Sequence, residues 1–312
     1  MLDTLIEIQA FGPNASGAID KAFNRIADIE KKMTAKAKTS EIIKINERAG
    51  EGFYTVSSDT FFVIKKSLCY SEMSKGKFDI TVGSLVRLWG IGTDEARVPT
   101  TSEISETLPL VDYKQVELSE DKHGVFLKKH GMAIDLGGIA KGFATDEVVK
   151  ILRQNGVESG IADLGGNIFV LGTKPNGKPW TIGLQNPFDT KGSIFATVGV
   201  VDKTLVTSGP YERYFEKNGK RYHHILDTYS GFPVENGLMG VTIISDSSID
   251  ADALSTTIFA LGLEEGMKFV EGLNHIDAVF VTNDYKVYTS PGIKEYNFTI
   301  INKQFQMKNN LE

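Results

Sequence analysis

Of 312 residues only one is a cysteine, Cys69. A single thiol excludes an intramolecular disulfide framework and a cysteine-built zinc cage. Cys69 falls in an apolar, helix-patterned stretch and is expected in the core. No apolar run approaches the ~20 residues needed to span a bilayer as a helix. Cations are not in excess either: 34 Lys and Arg stand against 40 Asp and Glu, a formal net charge of −6. A nucleic-acid surface needs clustered Lys and Arg, so that class falls away. Low-complexity segments and a flexible interdomain linker are missing too. No leader pattern precedes the fold signal that starts by Asp3, so the chain reads as a mature or trimmed form. The closing Leu311-Glu312 reads as an appended remnant. What remains is 41% hydrophobic and 24% charged residues, an ordinary globular composition able to bury a core. The length suits one large domain or two closely packed ones.

The organising stretch is Met132–Asp146. A short apolar run, Met132 to Ile134, is expected as a strand and ends at Asp135; two glycines follow. From Ala140 the apolar residues fall at 140, 143, 144, 148, 151 and 152, a helical period, with Asn155-Gly156 as the stop. Gly-Gly lets backbone approach a ligand without a Cβ in the way. The first N–H groups of the helix lack intrahelical partners and favour an anion, and Lys141 adds a positive side chain there. The glycine spacing matches neither a Walker loop nor a dinucleotide fingerprint. Taken alone, Gly-Gly between a strand and a helix is more often just a tight connection.

The rest of the chain mixes helices and hairpins. Thr4–Ala10 reads as a strand, and Ile19, Phe23, Ile26, Glu30 and Met33 mark a helix from about Ser16 to Ala35. Its basic end, Lys31 to Lys38, suits a phosphate patch or a solvated helix terminus complementing the dipole. Ser40–Asn46 and Ser58–Met73 read as helices, and Phe78–Gly92, with three glycines, a Trp and a lone Asp, as a buried loop. Thr100 with Glu103 forms a capping-box pattern. Val116–Leu118 and Val125–Lys128 make a hairpin. Asp-Leu-Gly-Gly recurs at Asp163, 28 residues after Asp135, this time bending a sheet between strands Gly160–Ala162 and Ile168–Leu171. Trp180–Leu184, Ile194–Val201 and Gly240–Ser245 follow as strands. Asn218-Gly219 signals a type I′ hairpin turn. Asp252–Ala260 and a stretch through Met267 and Val270 are helical, and Ala278–Thr282 with Lys286–Thr289 closes the chain as a hairpin. Few strand–helix–strand units appear, which defines an α+β chain.

Two further places carry candidate chemistry. Asp252, Ser255 and Thr256 share one side of a helix away from its apolar stripe of Leu254, Ile258 and Leu261, and so are expected on another surface. Hard carboxylate and hydroxyl oxygens suit Mg²⁺; an N-capping Asp252 with Thr256 bonded back to a carbonyl fits the same pattern. Of five histidines, His224 at a strand end near Asp227 is the candidate general base, with a structural histidine as the open alternative. His223 points the other way along its strand.

In this order the signals are distinctive: Ser40-Glu41 with Asn46, Phe78-Asp79 to Trp89-Gly90, Asp-Leu-Gly-Gly-Ile-Ala-Lys-Gly from Asp135, Thr207-Ser208-Gly209, His224–Gly231 and Asp-Ala-Leu-Ser-Thr from Asp252. Over nearly its whole length the chain resembles the ApbE-like FAD:protein FMN transferases. The resemblance implies a single α+β domain over residues 1–312, with mixed and antiparallel sheets, packed helices and FAD in a central cleft. It implies Mg²⁺-dependent cleavage of FAD at its pyrophosphate, transfer of FMN to a Thr or Ser hydroxyl of a partner flavoprotein, and release of AMP. Carried over by motif, metal ligands are the Gly138 carbonyl, Asp252, Ser255 and Thr256. FAD contacts are Leu2, Lys77, Phe78, Asp79, Asp135, Lys141 and Leu226, while His224 takes the acceptor proton and Lys141 balances the anion.

Where the family often has Met-Gly-Thr, this chain has Leu2-Asp3-Thr4. The resemblance implies an acceptor bearing a pattern like Asp-x-x-Thr-Gly-Ala-Thr, of the Rnf or sodium-pumping quinone reductase type. This chain's own Asp227-Thr-Tyr-Ser-Gly-Phe-Pro lacks the small residue and the final hydroxyl, so the acceptor is expected to be another protein. It also implies an extracytoplasmic enzyme, periplasmic or lipid-anchored. Two other readings stay open from sequence: an FAD pyrophosphatase, and a non-catalytic FAD-binding or storage protein.

Overall fold

Strands with period-two burial, half-buried and exposed along Ile6–Phe11 and half-buried and buried along Ser159–Leu164, build the sheet of one compact unit of the chain. The structure, a computed structural model, describes residues 1–189 and 192–308; Leu311 and Glu312 lie outside them. The chain divides into two compact units, neither contiguous in sequence. The first comprises Met1–Ala27, Lys141–Gly209 and the chain from Asn236 onward; the second comprises Asp28–Ala140 and Pro210–Glu235.

In the first unit an eight-stranded sheet runs in the order Ile6–Phe11, Ser159–Leu164, Asn167–Leu171, Lys203–Ser208, Leu238–Ser245, Asp277–Thr282, Lys286–Thr289, Gln306–Met307. Every neighbouring pair is antiparallel except the last, which is parallel. Alternation gives the sheet two faces with different tasks. Val170, Leu205, Ile244, Val279 and Val287 pack with Ile182, Leu184 and Phe195 of a three-stranded sheet in one apolar cluster. Thr204, on the opposite face from Leu205, accepts a hydrogen bond from Ser248 at the start of the helix Ser248–Leu261 (2.7 Å). That face carries the helices.

The second Asp-Leu-Gly-Gly does turn a hairpin: Asp163 pairs with Ile168 across Gly165 and Gly166, both at positive φ (66° and 86°). Gly165 has a further reason, because a Cβ there would run into the Thr4 side chain. Leu2 and Asp3 themselves hold positive φ (52° and 57°), so both adopt a left-handed backbone that favours glycine.

The second unit holds the helices Glu41–Glu47, Ser58–Met73, Gly83–Trp89 and Thr101–Thr107, a three-stranded sheet and the hairpin Tyr214–Lys217 with Lys220–His223. Asn218 and Gly219 take the positive φ expected of them (52° and 75°), and the Thr100–Glu103 capping box is complete. Leu85, Trp89, Ile104 and Leu226 form its apolar centre, where the Trp89 indole N–H donates to the Gly231 carbonyl at 2.8 Å.

Three expectations are corrected. Phe78–Gly92 is not a loop throughout: Gly83–Trp89 is a helix, stopped by Gly90 at φ 62°. The Met132–Ile134 run forms no strand. Its one sheet-like contact is a single parallel bridge from Val82 to Ala133, and it is apolar because all three residues are core. Cys69 is exposed rather than buried. No helix among the described residues is long and apolar enough to cross a membrane.

Candidate functional site

In the first unit two helices cap one another. The helix Ala140–Gln154 begins where predicted, and Gly156 (φ 77°) follows its end. In its first turn Lys141 places Nζ 3.2 Å from Asp252 Oδ1, and the Gly142 N–H donates to Asp252 Oδ2 at 2.9 Å. In return Asp146 accepts from the backbone N–H groups of Ser248 (2.8 Å) and Ile249 (2.9 Å), at the start of the helix Ser248–Leu261. Each helix thus lends a carboxylate to the other's orphan N–H groups. The approach is close enough that any Cβ on Gly142 would collide with the Ser248 carbonyl. That contact accounts for the last glycine of the first motif. Burial pushes the Asp146 carboxyl up to about 6, against the pull of its two backbone donors.

Asp252, Ser255 and Thr256 come together as expected, but not on an outer surface. Asp252 is 3% exposed and Ser255 fully buried, because the helix is buried nearly all round. Asp252 does not cap its own helix: Ser247 is the N-cap there, accepting from the Asp250 N–H. Thr256 shares a hydrogen bond with Ser208 (3.3 Å), and the Ser255 hydroxyl lies 2.9 Å from Ser208 and donates to the Asp252 carbonyl. Ser208, from Thr207-Ser208-Gly209, is the residue sequence reasoning left without a role. One carboxylate among hydroxyls suits Mg²⁺, which takes one or two carboxylates and fills its remaining positions with waters and phosphates. It does not suit an all-protein cage, and no cluster of three or more His, Cys, Asp or Glu suited to a metal occurs among the described residues. Lys141 supplies a cation at this carboxylate.

Apart from Leu2, which lies in the first unit, the second unit holds the remaining candidates. Gly138 and Asp135 fall in the turn ahead of Ala140; Asp135 Oδ1 accepts from the Gly137 N–H at 2.7 Å, and its own N–H donates to Ile80. Lys77 pairs with Asp227 at 2.9 Å and lies 4.8 Å from the centre of the exposed Tyr229 ring. Thr228 donates to the Gly76 carbonyl at 2.6 Å and Tyr229 to that of Lys75, fastening the Asp227 loop to the segment before Phe78. Burial works to raise Asp227, but Lys77 and the Tyr229 and Ser230 N–H groups hold it below the ordinary carboxylate value. Asp79 is buried, accepting from Thr81 and Tyr113, and burial pushes it up. Phe78 and Leu226 are buried.

The two adjacent histidines separate as predicted. Buried His223 donates from Nε2 to the Val234 carbonyl (2.9 Å) and accepts at Nδ1 from the Ile225 N–H; burial lowers its pKa. Both nitrogens serve the fold. His224 lies half-buried with Nδ1 3.2 Å from the Arg213 carbonyl. A donor role there leaves the lone pair of the neutral ring on Nε2, the tautomer a general base requires.

Known proteins resemble this chain over most of its length. The ApbE family model matches residues 2–280. The chain is 39% identical over 270 residues to an FAD:protein FMN transferase of Klebsiella pneumoniae (strain 342), covering 86% of this chain and 84% of that one. It is 34% identical over 310 residues to the FAD:protein FMN transferase of Treponema pallidum (strain Nichols), covering 94% and 86%. Among solved structures, an ApbE protein of Thermotoga maritima superposes with a TM-score of 0.87 at 31% identity, over 95% of this chain and 96% of that one. The flavin transferase ApbE of Vibrio cholerae gives 0.84 at 27% identity, over 94% and 96%. The chain belongs to the ApbE family.

Proposed function

We propose that this chain is an FAD:protein FMN transferase, moving FMN from FAD to a Thr or Ser hydroxyl of an acceptor flavoprotein and releasing AMP. The observation that carries the reading is the pairing of half-buried Lys141 with buried Asp252 beside the Ser255 and Thr256 hydroxyls, at the first turn of the Ala140–Gln154 helix. Relatives that cover most of the chain bear that name. The family match also runs through both compact units, which supports reading residues 1–312 as one working domain.

Phosphoryl transfer demands positioning and charge neutralisation more than covalent help. Lys141 and the helix N-terminus behind it supply positive potential for a pyrophosphate. Asp252, with Ser255 and Thr256, would hold Mg²⁺, which when bound neutralises phosphate charge. Lys77, Phe78, Asp79, Asp135, Leu226 and Leu2 are proposed to contact FAD. The acceptor oxygen forms the new P–O bond, the pyrophosphate P–O bond breaks, and AMP leaves with the bridging oxygen. His224 Nε2 takes the hydroxyl proton. The acceptor is proposed to carry an Asp-x-x-Thr-Gly-Ala-Thr-like segment of the Rnf or quinone-reductase type, and the enzyme to work outside the cytoplasm.

The test incubates the protein with FAD and Mg²⁺, with and without an acceptor domain, and follows acceptor mass. A gain equal to an FMN phosphoester, abolished by chelation, supports the transferase. AMP and free FMN with no gain in mass would mean a pyrophosphatase, and bound but intact FAD a storage protein.

A further inference from the structure

Asp252 treats its two carboxylate oxygens differently. Oδ2 is held by a backbone N–H, that of Gly142, on a helix that cannot withdraw it. Oδ1 is held by the ammonium of Lys141, at the end of a four-carbon stem with rotatable bonds. The carboxylate is only 4% exposed, and a buried carboxylate without a cation is strongly disfavoured. The Lys141 side chain is 20% exposed, so it has an outlet that Asp252 lacks. A divalent cation at Oδ1 would stand against the ammonium in a setting of low dielectric, where like charges repel strongly. The two cations are alternatives.

We propose that Lys141 is the internal counter-ion of the cation-free site. It yields Asp252 Oδ1 when a divalent cation binds, and its released ammonium then serves the anionic substrate. The Gly142 N–H keeps the carboxylate aimed through the exchange. This rests on Asp252 being a metal ligand. It assigns Lys141 two successive partners, and it makes cation loading and substrate binding cooperative, since the cation frees the lysine that the phosphate needs.

The exchange is tested by metal binding rather than turnover. Mn²⁺ is titrated into the full-length protein without FAD, followed by electron paramagnetic resonance, for wild type, Lys141→Met and Asp252→Asn. The expected result is Mn²⁺ binding about tenfold or more tighter in Lys141→Met than in wild type, since the competing charge is gone, and lost in Asp252→Asn. Wild-type binding with Lys141→Met no tighter would overturn the exchange while leaving Asp252 as ligand. Retention of binding in Asp252→Asn, or no binding in wild type, would remove the metal-ligand reading and the exchange with it. A second measurement needs only wild type and a conservative variant. The Lys141 Nζ resonance, assigned through Lys141→Arg, is expected to move on Mg²⁺ addition before any FAD is present. A stationary resonance in Mg²⁺-saturated protein also overturns the exchange.

Discussion

Each unit contains a lysine–aspartate pair joining residues more than a hundred positions apart, 111 for Lys141–Asp252 and 150 for Lys77–Asp227, and the two are built in opposite ways. Lys141–Asp252 spans two helices: Asp252 is almost fully buried, and its backbone partner Gly142 lies 110 residues away. Lys77–Asp227 is more open, at 27% and 22% side-chain exposure, and the backbone donors to Asp227 are Tyr229 and Ser230, its own near neighbours. The first carboxylate is positioned by tertiary packing and cannot relax when a charge changes. The second organises its own turn and borrows a lysine to fasten it. Rigid, buried and flanked by hydroxyls, the first suits charge chemistry; the second suits the shaping of a loop.

The largest expected effect comes from the rigid pair. Asp252→Ala should lower Mg²⁺-dependent AMP release from FAD by roughly 10³-fold, the scale of losing a dominant electrostatic stabiliser. Because that change also removes the oxygen that accepts from the Gly142 N–H, Asp252→Asn is measured beside it, since its amide oxygen still accepts there. Unchanged turnover in both would remove Asp252 from the chemistry and erase the contrast between the pairs.

Gly142→Ala asks whether close packing is what makes the first pair rigid. The added methyl meets the Ser248 carbonyl, so the helices must part. A loss of about 1–3 kcal/mol in urea denaturation is expected, as for overpacking elsewhere. Activity should fall with it, because the same shift withdraws the N–H that aims Asp252. Wild-type stability would mean that the helices are not locked as tightly as their geometry indicates.

Asp146, beside the first pair, and Asp227, within the second, are carboxylates of opposite pH behaviour. Asp146, which caps the Asp252 helix, titrates at about 6 when folded against 3.8 ordinarily. The folded chain therefore keeps a proton that the unfolded chain releases. Its contribution to stability is full below about 3.8 and is lost as pH rises through about 6. Asp227 is depressed, so its contribution is present above its ordinary value and is lost as pH falls through the lowered one. Comparing melting temperatures from pH 4 to 7, Asp146→Asn should flatten the dependence relative to wild type, whereas Asp227→Asn should leave that window unchanged. Equal slopes for wild type and Asp146→Asn would mean that the capping bonds, not burial, set the Asp146 carboxyl.

Much of this was legible in the sequence where the cause is local. The Thr100–Glu103 box, the Asn218-Gly219 turn and the span of Ser58–Met73 depend on neighbours within a few residues, and all three match the structure. The candidate site was readable as motifs, but its geometry was not. Asp146 reads as an ordinary helix residue because its partners lie about a hundred positions away. Gly83–Trp89 was hidden by its glycines; Gly83 is required because a Cβ there would meet the Ala133 carbonyl, a contact no local pattern encodes. Cys69 misled for the reverse reason. Ser67 and Ser71 occupy the buried side of their helix by bonding back to the Val63 and Ser67 carbonyls, so polarity there no longer marks the outer face.

The smallest expected effect separates the loop-shaping role of Asp227 from its charge. Asp227 Oδ1 accepts from Tyr229 and Ser230, while Oδ2 takes Lys77. Asp227→Asn preserves the oxygen that the turn needs and removes only the ion pair, so a loss of about 1 kcal/mol or less is expected for a pair this open to solvent. Asp227→Ala removes both and frees the turn, so about 1–2 kcal/mol is expected, with FAD binding weakened by the slackened Lys75–Lys77 segment. Urea denaturation and FAD titration of the two variants decide the matter. Should Asn cost as much as Ala, the charge and not the turn would be what the second pair supplies, and the two lysine–aspartate pairs would differ in exposure alone.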